Sequence, residues 1–78
     1  MKNNKVTKIT RLFGMKIKIE RIKRNLSQEE LAALSGVSRP TIGAIERAEN
    51  IPSIETAASI ARALNLELDK LFIFDGLE

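Results

Sequence analysis

Between Ser27 and Arg47 the chain starts a helix, stops it at a glycine and starts another almost at once, which leaves few folds open to it. Ser27-Gln28-Glu29-Glu30 is a capping box. The serine hydroxyl accepts from the backbone N–H of residue 30, and the Glu30 carboxylate reaches back to the N–H of residue 27. Gln28 to Ser35 are good helix formers with acids in the first turn, where the helix dipole favours them. Gly36 ends that helix because it takes a positive φ without steric cost. Ser38 caps the next one, and Pro40 in its first turn costs little because the amides there have no intrahelical partner. Two helices joined by so short a turn cross at about 90–120° and need a small side chain at their contact, which Ala32 supplies. Val37, Ile42 and Ile45 then face inward, leaving Arg39, Pro40, Gly43, Ala44 and Arg47 outward.

The flanking segments read as helices too. Residues 1–12 mix Lys, Asn and Thr with single aliphatics and read as a basic arm or a short strand. From about Phe13 the pattern turns helical, with Phe13, Ile17 and Ile22 on one stripe and Lys16, Lys18, Lys23 and Arg24 pointing away. Met15 to Ile19 also alternates as a strand would. Asn25 suits a helix C-terminus, since Asn tolerates the left-handed conformation. Ser53 opens a further helix whose apolar face is Ile54, Ala57, Ala58, Ile60, Ala61 and Leu64, closed by Asn65. Glu67 to Phe72 suits a fifth short helix, capped near Asp69. The expectation is an all-α, compact bundle of five short helices over residues 13–74, with an arm at 1–12 and a tail at 75–78.

Composition excludes several classes of chemistry. Seventy-eight residues bury a thin core, and chains of this size often gain stability by pairing with a copy of themselves. There is no cysteine and no histidine, which removes disulfides, thiol nucleophiles, imidazole bases and zinc fingers together. With no glycine-rich phosphate loop and no room for a cleft, an enzyme is the weakest reading, and no cofactor or metal is expected. The longest apolar run, Leu71-Phe72-Ile73-Phe74, falls far short of the roughly 20 residues that span a bilayer, so the chain reads as cytoplasmic. That run is too apolar for a free tail and calls for burial against the core, against a strand from Lys5 to Thr10, or against a second subunit.

The net charge of +3 conceals an asymmetry: residues 1–24 hold nine Lys or Arg and one acid, Glu20, whereas residues 25–78 hold four basic and nine acidic residues. A basic end can meet a polyanion while the acidic end keeps the chain dissolved. Three Phe without Trp or Tyr supply few stacking surfaces for single strands. A helix that presents Arg39 near its N-terminus and small residues beyond it has the shape of a groove reader. Arg39 can donate two bonds to the O6 and N7 of guanine, and Ala44 can touch a thymine methyl. Ser27, Gln28 and Thr41 sit at helix N-termini, where free amides attract phosphate.

Ser27 to Ala32, Gly36 to Ile42, Ile45-Glu46-Arg47 and Pro52-Ser53 together resemble the Xre-type, lambda-repressor-like helix-turn-helix DNA-binding family, over roughly residues 13–73. The resemblance implies a contact from Gln28 to a DNA phosphate and to the reading helix, and a pairing of Arg21 with Glu46. It also implies a transcription regulator, usually a repressor, acting as a homodimer on a palindromic operator in double-stranded DNA. The expected DNA-binding set is Arg39, Thr41, Ala44, Gln28, Ser27, Pro40, Gly43, Arg47, Arg21 and Lys18. Ala48 stands where the family often has glycine, and Ala44 where many members carry a longer polar reader. The alternative reading is an antitoxin-like module that masks a partner protein, suggested by the apolar C-terminal run and the acids Glu49, Glu55, Glu67, Asp69 and Asp75.

Overall fold

Every α-helix among the described residues starts on a hydroxyl. The computed structural model describes residues 6–78 and forms α1 (Lys8–Lys23), α2 (Gln28–Ser35), α3 (Arg39–Glu46) and α4 (Ile54–Ala63), followed by a 3₁₀ turn at Leu68–Phe72. Thr7, Ser27, Ser38 and Ser53 accept from the backbone N–H three residues on, at 3.2, 2.9, 3.3 and 3.1 Å. Such caps satisfy amides that the helix itself leaves unpaired, each worth about 1 kcal/mol. The capping box at Ser27 is complete, with the Ser27 N–H donating to Glu30 Oε1 at 2.7 Å.

The helix ends are as uniform as the starts. α1, α3 and α4 close with the same pair of bonds: Leu26, Glu49 and Leu66 donate to the carbonyls of Arg21, Ala44 and Ala61, while Asn25, Ala48 and Asn65 donate to those of Ile22, Ile45 and Arg62. This double closure needs a left-handed residue, and Asn25, Ala48 and Asn65 take it with φ of 56°, 61° and 61°. The turn after α3 therefore keeps the geometry of a glycine while carrying an alanine.

Two expectations are corrected at the ends of the chain. α1 begins at Lys8, not near Phe13, so residues 8–12 are helical and no strand forms there; residues 1–5 of the expected arm lie outside the described residues. The reason is local, because Thr7-Lys8-Ile9-Thr10 repeats the hydroxyl-x-x-Thr pattern of Ser38 to Thr41 and Ser53 to Thr56. The extra turn also buries Leu12 together with Phe13. At the other end the fifth helix is a 3₁₀ turn, with no side-chain cap at Glu67 or Asp69. Side chains three apart eclipse in that geometry, so Leu68 and Leu71 both point at the core.

The core comprises Phe13, Ile17, Leu31, Ile42, Ile45, Ile60, Leu64 and Leu71 with smaller neighbours, so each helix and the 3₁₀ turn contribute to one cluster. Ile22 and Ile54 depart from their expected stripes: they are 52% and 78% exposed. Ile22 is nine residues from Phe13, which at about 100° per residue puts it on the opposite side of α1 from the core. α1 and α3 touch without an intervening side chain at Gly14, where a Cβ would strike the carbonyl oxygen of Ile45 and lie 3.1 Å from that of Glu46. No helix among the described residues is long and apolar enough to cross a membrane.

Three cations of the basic run of α1 gather on one carboxylate, while Lys18 of the same run is exposed. Glu20 is buried, and its carboxylate takes Arg24 Nη1 at 2.7 Å, Lys16 Nζ at 3.2 Å and Lys23 Nζ at 3.5 Å. Those partners hold its pKa down from 4.5 to about 2, led by the Arg24 hydrogen bond and opposed by burial. A carboxyl whose pKa is depressed on folding stabilises the native state fully above its unfolded value and loses that contribution as pH falls through the folded one. Thermal unfolding between pH 4.5 and 2 is therefore expected to cost Glu20's share, about 1–2 kcal/mol after solvent screening of the exposed cations. A Glu20→Gln chain whose melting temperature falls just as steeply over that range would contradict this assignment.

Candidate nucleic-acid interface

α3 is carried by a turn whose residues are each explained. Gly36 takes a φ of 75°, and its N–H donates to the Ala32 carbonyl at 2.9 Å. The Ser35 hydroxyl accepts from the Val37 N–H at 3.2 Å. α3 then packs on α2 and on α1, with Ile42 and Ile45 buried beneath it.

A polar clamp fixes the C-terminal end of α3. Arg21 of α1 donates through Nε to Glu46 Oε2 at 2.7 Å, through Nη2 to Glu46 Oε1 at 3.1 Å, and through Nη1 to the Leu26 carbonyl at 2.7 Å. Gln28 of α2 donates through Nε2 to the same Glu46 Oε1 at 3.0 Å. A carboxylate only accepts, so the Gln28 N–H group must face it and the Oε1 atom must face the other way. One carboxylate at the end of α3 thus ties three helices together. The hydrogen bonds to Glu46 raise the Arg21 pKa further above its ordinary value, outweighing burial. Both partners are largely out of water, with side chains 12% and 3% exposed.

Beside the clamp, α3 is open. Arg39, Pro40 and Arg47 are exposed there, and Thr41 and Ala44 are half-buried. Thr41 Oγ1 accepts from Ser38 Oγ at 2.8 Å, which leaves its own hydroxyl hydrogen free to donate outward. Arg47 Nη2 donates to Glu49 Oε1 at 3.0 Å, which raises the arginine pKa and lowers that of the acid. Gly43 is the correction on this face, because it is buried. Its cover is polar: Arg47 Nη1, Gln28 Oε1 and Arg39 Nη1 lie 3.0, 3.5 and 3.8 Å from where a Cβ would stand.

The structure thus gathers Gln28, Arg39, Gly43 and Arg47 at one place, with Thr41, Pro40 and Ala44 on the same short helix. Ser27 sits beside Gln28 as the α2 cap. Arg21 stands behind this face within the clamp, and Lys18 is exposed one turn before it on α1. Sequence reasoning placed Glu49 on an acidic surface and overlooked its grip on Arg47, two residues away. It likewise overlooked Glu20 as a hub. The signal was present there, since Lys16 and Arg24 lie four residues to either side of it and Lys23 lies three beyond. Among the described residues no group of His, Cys, Asp and Glu is placed to hold a metal ion.

Comparison with known proteins agrees with this architecture. The sequence pattern of the helix-turn-helix family matches residues 17–71. An HTH-type transcriptional regulator of Archaeoglobus fulgidus is 45% identical over 63 residues, covering 81% of this chain and 89% of that protein. The control protein C.SmaI of Serratia marcescens is 44% identical over 54 residues, covering 69% of this chain and 64% of its own length. Among solved structures, the restriction-modification controller protein C.AhdI of Aeromonas hydrophila superposes with a TM-score of 0.79 at 36% identity, over 81% of this chain and 96% of that one. A turn built on Gly36, a clamp that holds α3 at its angle and this body of matches lead to one conclusion: the chain belongs to the helix-turn-helix family, in its Xre-type, lambda-repressor-like branch.

Proposed function

We propose that this protein binds double-stranded DNA sequence-specifically, with α3 in the major groove, and regulates transcription in the cytoplasm as a homodimeric repressor on a palindromic operator. The observation that carries the reading is the layout of α3: a clamp of Arg21, Glu46 and Gln28 holds it along one edge, and Arg39 and Arg47 are exposed beside that clamp. Arg39 is the principal base reader, supported by Thr41, Ala44 and the flanking Pro40 and Gly43. Gln28 keeps a second Nε2 hydrogen beyond the one given to Glu46 and, with Ser27 at the α2 N-terminus, holds a phosphate. Lys18 adds charge along the backbone, while Arg21 acts mainly by orienting the clamp.

Support for the dimer is an apolar groove of about 380 Å³, lined by Ile9, Phe13, Ile51, Ile54, Leu68 and Phe72 among others. Ile54 and half-exposed Phe72 meet water there, and a second copy seated on the groove would remove that apolar surface from solvent. A second copy covers it in our reading, and sedimentation at micromolar concentration should show a dimer. A monomer that pairs only with a different protein would favour the alternative, an antitoxin-like module.

Selection of binding sites from random duplex, followed by anisotropy titration, tests the main reading. A symmetric site bound well above scrambled DNA is expected, and equal affinity for both at every salt concentration would sink it. Arg39→Ala should cost about 1–3 kcal/mol and relax the preference at one position, whereas Gln28→Ala should weaken all sequences more evenly.

A further inference from the structure

Arg39, Gly43 and Arg47 are spaced four apart, so they form one ridge along α3 with the glycine at its centre. Both guanidinium groups fold inward along that ridge: Nη1 of Arg47 and Nη1 of Arg39 lie 3.0 and 3.8 Å from the missing Cβ. Gln28 Oε1, turned outward because its amide N–H serves Glu46, arrives from α2 at 3.5 Å. Two like charges and an acceptor therefore share a seat that any side chain at residue 43 would fill. Glycine in mid-helix weakens a helix relative to alanine, so the position needs a compensating reason. None is found in the backbone. Gly43 has no positive φ, and no main-chain atom is among the three nearest to its Cβ position, in contrast to Gly14.

We infer that Gly43 is a specificity-determining residue: by carrying no side chain it sets where Arg39 and Arg47 stand, so that both converge on one acceptor-rich base edge, of the kind guanine O6 and N7 present. The inference rests on the DNA-binding reading above. Glu49 accepts from Arg47 Nη2 at 3.0 Å beside this ridge. The inward pose costs mutual repulsion between the guanidinium groups, and a bound acceptor relieves it. Selectivity then depends on the position of charges, and only their number governs general attraction to phosphate.

Gly43→Ala separates these effects. The flexible arginine head can move by the few tenths of an ångström needed, so the variant folds, and its melting temperature is expected to rise by a few degrees, up to about 8 °C. Charge is unchanged, so the salt dependence of binding to scrambled duplex should match that of the parent. The ratio of affinities for the selected site over scrambled duplex should fall tenfold or more, and sites selected anew by the variant should differ at the positions facing residue 43. A ratio within about threefold of the parent with the same selected site would overturn the inference, as would a lower melting temperature. A parent chain without any preference would instead bring down the functional reading itself, which keeps the two failures apart.

Discussion

Glu46→Ala is expected to lower the unfolding free energy by about 3 kcal/mol, because it strands the Arg21 guanidinium in a site only 12% exposed. Removing one member of a buried ion pair leaves the other charge desolvated and without its acceptor, and that penalty exceeds what the pair contributed. Gln28 loses its acceptor in the same step, so the hold of α1 and α2 on the end of α3 goes together. Urea unfolding followed by circular dichroism measures the loss. Replacing both members, as Arg21→Met with Glu46→Leu, should recover most of it, since no charge is then left unpaired. A loss below about 1 kcal/mol for the single change would mean that water reaches Arg21 freely. DNA affinity is expected to fall further than stability alone predicts in either variant, because the Gln28 amide is no longer aimed.

Gly14→Ala is expected to cost about 2–3 kcal/mol, although alanine is the better helix former. The added methyl group would strike the Ile45 carbonyl oxygen and crowd that of Glu46, and both belong to backbone that cannot step aside. Ile45 also accepts from the Ala48 N–H at 3.0 Å, so a shift there disturbs the closure of α3 and the clamp beside it. The same exchange at Gly43 has the opposite expected sign. Both glycines sit in helices, but one faces main chain and the other faces the mobile ends of Arg and Gln side chains. Thermal unfolding of the two variants side by side tests the contrast, and a Gly14→Ala chain as stable as the parent would refute it.

Much of the fold was legible because its punctuation is chemical and local. Ser27, Ser38 and Ser53 cap helices where the sequence places them, and Asn25, Gly36 and Asn65 take the left-handed conformations that end or turn the chain. Thr7 follows the same logic and was missed only because the lysine-rich segment around it masked a cap whose partner is again a threonine. Ile22 is exposed because nine residues at about 100° each set it on the side of α1 away from Phe13. Ile54 does lie in register with Ala57 and Ala61, but periodicity does not say how far the neighbours extend to cover the first turn. The 3₁₀ turn was read as a helix because Leu68 and Leu71 suit either geometry until the core decides the rise between them.

The span from Ser27 to Arg47 shows where that boundary runs. Caps, the stop at Gly36 and the inward Ile42 and Ile45 depend on atoms within a few residues, so the amino-acid order alone determined two helices and a sharp turn between them. What joins the ends of that motif lies far apart in the chain. Arg21 reaches Glu46 across 25 residues, and Gln28 reaches it across 18. Likewise, whether Gly43 is an open surface or a covered seat depends on side chains delivered by α2 and by both ends of α3. Short-range hydrogen bonds and steric limits are written in consecutive residues. The clamp on Glu46 and the Gln28 oxygen beside Gly43 exist only once packing has brought separate helices together.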